Sequence, residues 1–362
     1  MYPLGKQFIF NSDVCKTDEK YMIVGQHYRI SVLSDMVVRL EYSPSGTFND
    51  RPTQLVRRRN FSKGAFKVDK NQTTLMITTK YFTLVYQMEQ PFKAQGVDPM
   101  RNLKITLNSR DPDRQKDWYY GNLEVRNLGG NTVSDDVSVS REIEKGLYSL
   151  DGFASIDDSK SKIILEDGTL GEPIADNTDI YVFMYDTNFR QVLFDYFKLT
   201  GAPSMLPRYA FGNWWSRNYK YGDSKLEDLV ARFKENQVPI SSILLNHDWH
   251  LMSENKKLGN SGFTFNLNIF REPKKTVEFL HNNNIKVGLT IDPSNGLGDI
   301  DPVFRETTKY LQPNKDNIIP FNVLDARFID VYLKFYIHPL DNLGVDFYFI
   351  DYADKNNLKK LS

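Results

Sequence analysis

The sequence predicts two domains of different class: a β-sandwich over residues 1–200, then an incomplete α/β barrel of the TIM type over 201–362. Three observations predict this division. The first part contains short runs rich in β-branched and aromatic residues, whereas the second alternates such runs with amphipathic helices. Two prolines and a glycine in "LTGAPSMLPRY" (199–209) separate the two patterns, and a length of 362 residues is typical of two domains.

The predicted sandwich consists of short strands in which apolar and polar residues often alternate, as they do in half-buried antiparallel sheets. The runs are "HYRISVLSD", "MVVRLEYS", "TTLMITT", "YFTLVYQ", "LKITLNS" and "DIYVFMYD". The stretches "SPSG", "DPDR" and "NLGGN" supply turn residues between them. We interpret "NLGGN" (127–131) as a hairpin turn and not as a phosphate loop, because no helix start follows it.

The predicted barrel alternates strands that are apolar on both faces, as buried parallel strands are, with amphipathic helices. The strands are 209–216, 239–248, 285–293 and 344–351, and the helices are 224–236, about 273–283, and 325–337. Ser224 and Glu227 have capping-box spacing, and Pro273 has a first-turn position. A barrel is favoured over a dinucleotide-binding sheet because no G-x-G-x-x-G follows a strand.

Composition excludes several classes of partner. Lys+Arg and Asp+Glu balance at 46 each and form no basic stripe, so we expect no nucleic acid partner. No run of about 18 apolar residues predicts a membrane span. The start "MYPLGKQFIFNSDV" lacks a signal-peptide pattern, and the single cysteine, Cys15, fits a reducing compartment. We therefore expect a cytoplasmic protein.

Polar and aromatic residues follow each predicted barrel strand. The first strand ends at Trp214 to Arg217 and the second at Asn246 to His250, and the three carboxylates at strand ends are Asp248, Asp292 and Asp351. Turn capping explains a single Asp, and core packing explains a single Trp. Because parallel strands end at one rim of a barrel, the combination favours a site for a polar, ring-shaped ligand.

The segment "NHDWH" also raises a metal hypothesis, since His247, Asp248 and His250 are all possible ligands. Residues three apart on a strand point to opposite faces, however, so only a break in the strand would bring both histidines to one ion. We expect neither a metal nor a cofactor.

Asp351 is the last residue of the fourth strand and shares a face with Val345, Phe347 and Phe349. A carboxylate held there on rigid backbone between aromatic walls suits a nucleophile that attacks the anomeric carbon of a sugar.

These motifs resemble glycoside hydrolase family 31, the α-glucosidase and α-xylosidase family. The stretches "LPRYAFGNWWSRNYKY", "ILLNHDWH", "VGLTIDPSNG" and "GVDFYFIDYAD" are similar, in order, to the first four strands of its barrel. "NLGGNTVSDD" and "GLYSLDGFASIDDS" (146–159) resemble its mutarotase-like N-terminal sandwich. The likeness extends over nearly the whole chain.

The resemblance implies a retaining exo-acting α-glycosidase that needs no cofactor and acts on an oligosaccharide or glycoside. Asp351 would be the nucleophile, Asp292 would contact sugar hydroxyls, and Asp151 would reach in from an "LDG" loop. The full set of expected substrate-binding residues is Asp292, Asn246, Asp248, Trp215, Arg217, Trp249, His250 and Asp151.

The chain departs from the family pattern at positions that bear on specificity. Asn246 stands where relatives carry an acid, Asn218 replaces an aromatic residue, and "FYFIDYAD" has Phe and Tyr in place of Trp. An amide adds donors and loses the charge of a carboxylate. Specificity for an α-xyloside or an α-galactoside therefore stays open beside an α-glucoside.

The family takes its acid/base aspartate from a later part of the barrel, and no residue here matches it. We therefore expect an incomplete barrel that is inactive alone unless a second chain completes it. A non-catalytic carbohydrate-binding protein and a decayed fragment are the alternatives.

Overall fold

A computed structural model describes residues 14–61, 64–93, 102–109, 116–130 and 145–350. Among these residues, one compact unit ends at Pro203 and a second begins at Ser204. Each unit has its own hydrophobic core. None of the helices in the described ranges combines the length and apolar character that a bilayer crossing requires.

The first unit forms two five-stranded sheets and a two-stranded hairpin, all antiparallel. The strand orders are β1-β2-β3-β12-β9 and β4-β5-β6-β7-β8, with β10 paired to β11. The strands are β1 Met22–Val24, β2 Tyr28–Val32, β3 Val37–Tyr42, β4 Lys67–Lys70, β5 Thr74–Thr78, β6 Phe82–Gln87, β7 Leu103–Leu107, β8 Asp117–Tyr119, β9 Phe153–Asp157, β10 Ile163–Ile164, β11 Leu170–Gly171 and β12 Thr178–Met184.

The two sheets pack face to face around a shared core. Ile30 and Leu40 of the first sheet belong to the same buried cluster as Ile77, Leu84 and Ile105 of the second. Alternation of buried and half-buried residues along β5 and β6 shows that every second side chain enters this core. The predicted β-sandwich is confirmed.

One helix, α1 (Phe189–Thr200), covers the outer face of the first sheet, where its Val192 and Leu199 pack with Tyr181 and Phe183. The sequence reading of residues 1–200 as all-β missed this helix. Strand β12 is buried on both faces because it lies between the sandwich core and α1. Gly201, at φ 95°, ends the helix.

A buried ion network lies on the same outer face. Arg39 donates to the Asp179 carboxylate through Nε (2.8 Å) and Nη2 (2.6 Å), and Arg29 donates to Glu41 in the same two-pronged way (2.6 and 2.8 Å). Arg39 and Glu41 are 3.0 Å apart, which joins the two pairs. Burial destabilises the ionised form of the Asp179 carboxylate, but the attraction of Arg39 keeps the pKa of Asp179 below its usual value.

The second unit is built around one parallel sheet in the order β13-β14-β15-β16. Its elements are β13 Trp214–Ser216, α2 Asp223–Glu235, β14 Ser242–Leu245, α3 Pro273–Asn282, β15 Lys286–Ile291, α4 Phe304–Thr307, α5 Ala326–Tyr332, α6 His338–Leu343 and β16 Phe347–Ile350. The described residues therefore contain half the strands of an eight-stranded barrel. The predicted incomplete α/β barrel is confirmed for this part of the chain.

The predicted capping box of α2 is wrong. The helix begins at Asp223 after Gly222, and no side chain caps it. The Asp223 carboxylate instead accepts hydrogen bonds from the Arg271 N–H (3.0 Å) and the Thr276 hydroxyl (2.5 Å), so it ties α2 to the start of α3. The expected Pro273 does stand in the first turn of α3.

The helix predicted at 325–337 is longer and irregular. Asp325 caps α5 by accepting from the Arg327 N–H at 2.9 Å. A π-helical turn, Leu333–Ile337, then connects α5 to α6, and Gly344 at φ 101° ends the segment. Pro339 has no N–H to donate, and the wider π turn precedes it.

Removal of one member of the buried ion network tests its contribution to stability. In Asp179→Ala, the fully buried Arg39 loses its two-pronged partner, so we expect a loss of about 3 kcal/mol or more in unfolding free energy. Urea titration followed by circular dichroism measures it. In the control Asp69→Ala, the exposed pair with Lys67 is removed, and we expect a loss below about 1 kcal/mol. Equal losses in the two variants would contradict this account.

Candidate active site

The register of the parallel sheet sorts its side chains onto two faces. Ser216, Leu244, Gly288 and Phe347 stand in one line across the four strands. Their chain neighbours form the opposite face, where the side chains of β14 and β15 pack with α2 and α3 in the main core. We call the first side the open face, because Trp214 and Phe349 on it remain 39% and 48% exposed.

Aromatic rings cover the part of the open face that lies below the carboxyl ends of the strands. Phe347 packs against Trp214 with ring centroids 4.7 Å apart and stacks on Tyr209 at 5.9 Å. Gly288 makes this possible, since a Cβ there would lie 2.1 Å from the Phe347 ring. The rings form an apolar floor beneath the carboxyl ends of the strands.

Asn246 follows β14 and is half-buried. The Thr290 hydroxyl donates to Asn246 Oδ1 at 3.3 Å, and the Thr290 carbonyl accepts from the Trp249 indole N–H at 2.8 Å. Thr290 pairs in register with Phe349, so Asn246 is held next to the open face. Sequence reasoning missed Thr290, although strict alternation along β15 would have placed it there.

The second strand ends earlier than predicted. It stops at Leu245, and a short 3₁₀ helix, His247–Trp249, replaces the expected strand through residue 248. This break brings the rings of His247 and His250 to a centroid distance of 6.1 Å, so the expectation that they face opposite ways is wrong. Within the described ranges, no group of three His, Cys, Asp or Glu residues is arranged to hold a metal ion.

Trp249 and His250 are supporting residues in this structure. They are 1% and 0% exposed, so a ligand does not reach them, and the expectation that they contact substrate does not fit their burial. Trp249 packs on Phe265 at 4.8 Å, and His250 Nδ1 donates to the Leu251 carbonyl at 2.6 Å. Burial lowers the pKa of His250 to about 4, against the opposing effect of that hydrogen bond.

Asp292 caps the turn after β15 and is only 1% exposed. Its Oδ1 accepts from the Ser294 N–H (3.0 Å) and hydroxyl (2.5 Å), and its carbonyl accepts from the Ser261 hydroxyl (2.6 Å). The turn-capping explanation therefore fits Asp292 better than direct contact with a sugar hydroxyl. The accessible polar residues of the group are Asn246, His247 and Asp248, all half-buried.

Trp215 and Arg217 do not lie with this group. Trp215 points to the helix side of β13, where its ring meets Phe233 of α2 at 5.4 Å and its indole N–H donates to the Tyr221 hydroxyl at 2.8 Å. Arg217 is exposed and lies 5.0 Å over the Tyr219 ring. Both residues line a cleft of about 510 Å³ beside α2.

Asp151 belongs to the sandwich unit. Its carboxylate accepts from Arg126 Nη1 at 3.1 Å, and the following Gly152 has φ 75°. A Cβ at Gly152 would lie 2.8 Å from the Asp186 Cα, so this close turn requires glycine. Asp351 and residues 131–136 of "NLGGNTVSDD" lie outside the described residues. Of the same motif, Asn127 forms an antiparallel bridge with Ser149, and the Leu128 N–H donates to the Tyr148 carbonyl.

The fold defines the class of the second unit as part of an α/β barrel, a class whose ligand sites lie at the carboxyl ends of the strands. Residues 203–360 match the family model described as the glycosyl hydrolases family 31 TIM-barrel domain. The resemblance drawn from the sequence is confirmed for this part of the chain, which matches the barrel domain of family 31.

Two curated relatives come from Saccharolobus solfataricus. An alpha-xylosidase is 28% identical over 211 residues, which are 57% of this chain and 26% of that protein. An alpha-glucosidase is 32% identical over 117 residues, 32% of this chain and 16% of that protein. The chain thus matches 26% of the length of the first relative and 16% of the length of the second.

Solved structures share the fold. A family 31 dextranase from Flavobacterium johnsoniae, complexed with isomaltotriose, aligns with TM-score 0.60 and 16% identity over 93% of this chain and 47% of its own. A family 31 alpha-xylosidase from a soil metagenome, complexed with xylose, aligns with TM-score 0.55 and 14% identity over 92% and 58%.

The buried His250 predicts a pH dependence of stability. Its folded pKa of about 4 lies below the ordinary value of 6.5, so the unfolded chain binds its proton first as pH falls. Stability is complete above about pH 6.5 and falls towards pH 4, by up to about 3 kcal/mol. We expect His250→Gln to remove this part of the pH dependence in urea titrations at several pH values. The exposed His338→Gln is the control, and an unchanged profile in His250→Gln would refute the assignment.

Proposed function

We propose that the chain carries part of a retaining α-glycosidase of the family 31 type, which hydrolyses terminal α-linked sugars. The observation that carries this proposal is the family match over residues 203–360, which contains all four strands of the parallel sheet and Asp351. The accessible polar residues after β14, next to the aromatic open face, support a ring-shaped polar ligand.

The proposed chemistry has two steps. The Asp351 carboxylate attacks the anomeric carbon, the C–O bond to the leaving group breaks, and a covalent β-glycosyl ester forms. A second carboxylic acid, about 5–5.5 Å from the nucleophile in retaining enzymes, gives its proton to the leaving oxygen and then takes one from water. Water attacks the anomeric carbon, and the net stereochemistry is retained. In this proposal, the 362-residue chain supplies the nucleophile and the residues that contact the sugar.

Asn246 and Asp248 are the proposed sugar contacts. Because Thr290 occupies Asn246 Oδ1, the amide is oriented to offer its two Nδ2 donors to a sugar hydroxyl. An aspartate at this position would accept from that hydroxyl instead. The exposed Phe349 ring supplies an apolar surface beside them, while Asp292 holds the turn that follows β15.

α-Xylosidase specificity is the second candidate. The alpha-xylosidase relative matches 57% of this chain, against 32% for the alpha-glucosidase. A xyloside lacks the C6 hydroxymethyl group, so the two specificities differ in the space required above the ring. Comparison of the rates of labelling by 5-fluoro-α-xylosyl and 5-fluoro-α-glucosyl fluoride decides between them.

The remaining strands of the barrel are the proposed macromolecular partner. Among the described strands, β13 lies at an edge of the parallel sheet, and an unpaired edge invites a further strand. We propose that further strands of a family 31 barrel, on this or a second polypeptide, pair there and bring the acid/base carboxylate. Addition of such a polypeptide is expected to raise turnover of an aryl α-glycoside.

Covalent labelling tests the nucleophile without the acid. Fluoride departs without protonation, so a 5-fluoroglycosyl fluoride requires only the attacking carboxylate and is expected to label the chain. Peptide mass mapping should place the label on Asp351, and Asp351→Asn should abolish it. Asp354→Asn, in the same peptide, should label normally. Labelling that survives Asp351→Asn would refute the nucleophile, and no labelling of the unaltered chain would refute glycosidase chemistry in it.

The Asn246 orientation gives a second test of the site. Asn246→Asp reverses the donor role, so we expect labelling by the preferred fluoride to slow by about tenfold, the equivalent of one charge-assisted hydrogen bond. Asn282→Asp, at the exposed carboxyl end of α3, is the matched control and should label at the unaltered rate. An unchanged rate in Asn246→Asp would remove this residue from the sugar site.

A further inference from the structure

Residues 47–59 lie on the outer face of the first sheet, and we call this segment the strap. None of these described residues belongs to a helix or a β-strand. Val56 of the strap is fully buried in one cluster with Tyr181 and Phe183 of β12. Because the strap has no hydrogen-bonded ladder of its own, the side chains that fasten it decide whether it stays closed.

One side-chain contact fastens the middle of the strap. The Thr53 hydroxyl donates to Asp158 Oδ2 at 2.8 Å and accepts from the Val56 N–H at 2.9 Å. Beside it, the Gln54 N–H donates to the Lys162 carbonyl at 3.0 Å. Asp158 is only 2% exposed and directly follows β9, so its carboxyl group joins the strap to the edge of the sheet.

The other oxygen of the Asp158 carboxyl group lacks a donor. Among the described residues, neither Asp158 Oδ1 nor Asn177 Oδ1 has a hydrogen-bond partner, although both atoms are buried. Both residues line one cavity of about 20 Å³, which has room for about one water molecule. A proton on Asp158 Oδ1 supplies a donor to this cavity, where two acceptors otherwise face each other without one.

The surroundings of Asp158 disfavour its ionised form. Asp179 of β12 and Glu41 of β3 line the same cavity, and each carries a negative charge that is paired with an arginine. Arg59, the buried cation of the strap, directs its Nε to the Tyr181 hydroxyl at 2.6 Å. Burial and then the charge of Asp179 raise the pKa of Asp158 to about 6, against the opposing effects of two nearby hydroxyls and of Arg59.

The strap is also attached to the end of α1. The N–H groups of Arg57 and Arg58 both donate to the Leu199 carbonyl, at 2.9 and 3.0 Å. The last carbonyls of a helix have no partner within the helix, and these two donors satisfy one of them. Release of the strap therefore also removes a support from the last turn of α1.

We propose that Asp158 is a pH-dependent switch, whose protonated carboxyl group holds the strap closed at mildly acidic pH and whose ionisation lets the strap open at neutral pH. The switch does not depend on the proposed glycosidase reaction, because none of its residues takes part in that chemistry.

The direction of the pH dependence follows from where the proton binds more tightly. In a released strap, Asp158 is solvated and regains its ordinary pKa of 3.8, so the closed strap binds the proton more tightly. The added stability of the closed strap is complete below about pH 4 and is lost as pH rises to about 6. This direction is opposite to that of His250, which lies in the second unit.

Hydrogen exchange of the 362-residue chain, followed by mass spectrometry, tests the proposal. Protection factors of peptides from the strap are compared at about pH 5 and about pH 7.5, after correction for the chemical exchange rate. The strap is expected to lose about tenfold in protection at the higher pH, the difference that the two pKa values of Asp158 give between these conditions. Protection that is independent of pH in the unaltered chain would overturn the switch, whether or not any variant folds.

Variants assign the effect to one residue. Asp158→Asn has an uncharged donor and acceptor at every pH, so its strap should be equally protected at the two pH values. Asp157→Asn is the matched control, because this exposed neighbour accepts from the Ser159 N–H and an amide oxygen retains that role. It should keep the tenfold change, as should Asp351→Asn, which separates this result from the labelling experiment. A pH dependence that survives Asp158→Asn, or that disappears in Asp157→Asn, would contradict the assignment.

Discussion

The contact between Gly288 and Phe347 decides what the open face of the parallel sheet can present. Because Gly288 has no side chain, the Phe347 ring of β16 lies over β15 and contacts Trp214 of β13, although β14 and β15 lie between those two strands. A methyl group at 2.1 Å from that ring would displace it, because this distance is well below van der Waals contact. The aromatic floor, and therefore the surface beneath the strand ends, depends on this one missing Cβ.

The residues that follow the strands fall into two groups, buried supporting residues and accessible polar residues. Trp249, His250 and Asp292 are buried and hold the chain after β14 and β15 through the Thr290 carbonyl, the Leu251 carbonyl and Ser294. Asn246 and Asp248 remain accessible. A rigid, dry support behind a few exposed polar groups is what a sugar site requires, because its ligand must be oriented by hydrogen bonds that water does not replace.

Periodicity predicted the fold because it reflects burial directly. The alternating runs became sandwich strands, and the apolar stripe of Leu226 and Val230 became the buried side of α2. The residue types at the strand ends predicted the surroundings of the individual side chains less well. Its position at a strand end predicts that Asp292 contacts a ligand, yet its Oδ1 accepts hydrogen bonds from Ser294. The local sequence does not reveal whether a turn residue or a ligand binds this oxygen. Trp215 faces α2 because of the phase of a strand only three residues long, which no pattern in "NWWS" fixes. The family resemblance predicted the order of the motifs along the chain. Tertiary packing, which the sequence pattern does not show, determines the direction of the individual side chains.

The central claim is that sugar binds at the carboxyl ends of the strands, over Phe349 and against Asn246. A crystal structure of the 362-residue chain with a thio-linked α-glycoside, which resists cleavage, tests it most directly. The account predicts a sugar ring whose hydroxyl accepts from Asn246 Nδ2, with one face against the Phe349 ring. A sugar found only in the cleft beside α2, or no ordered sugar at saturating concentration, would contradict it.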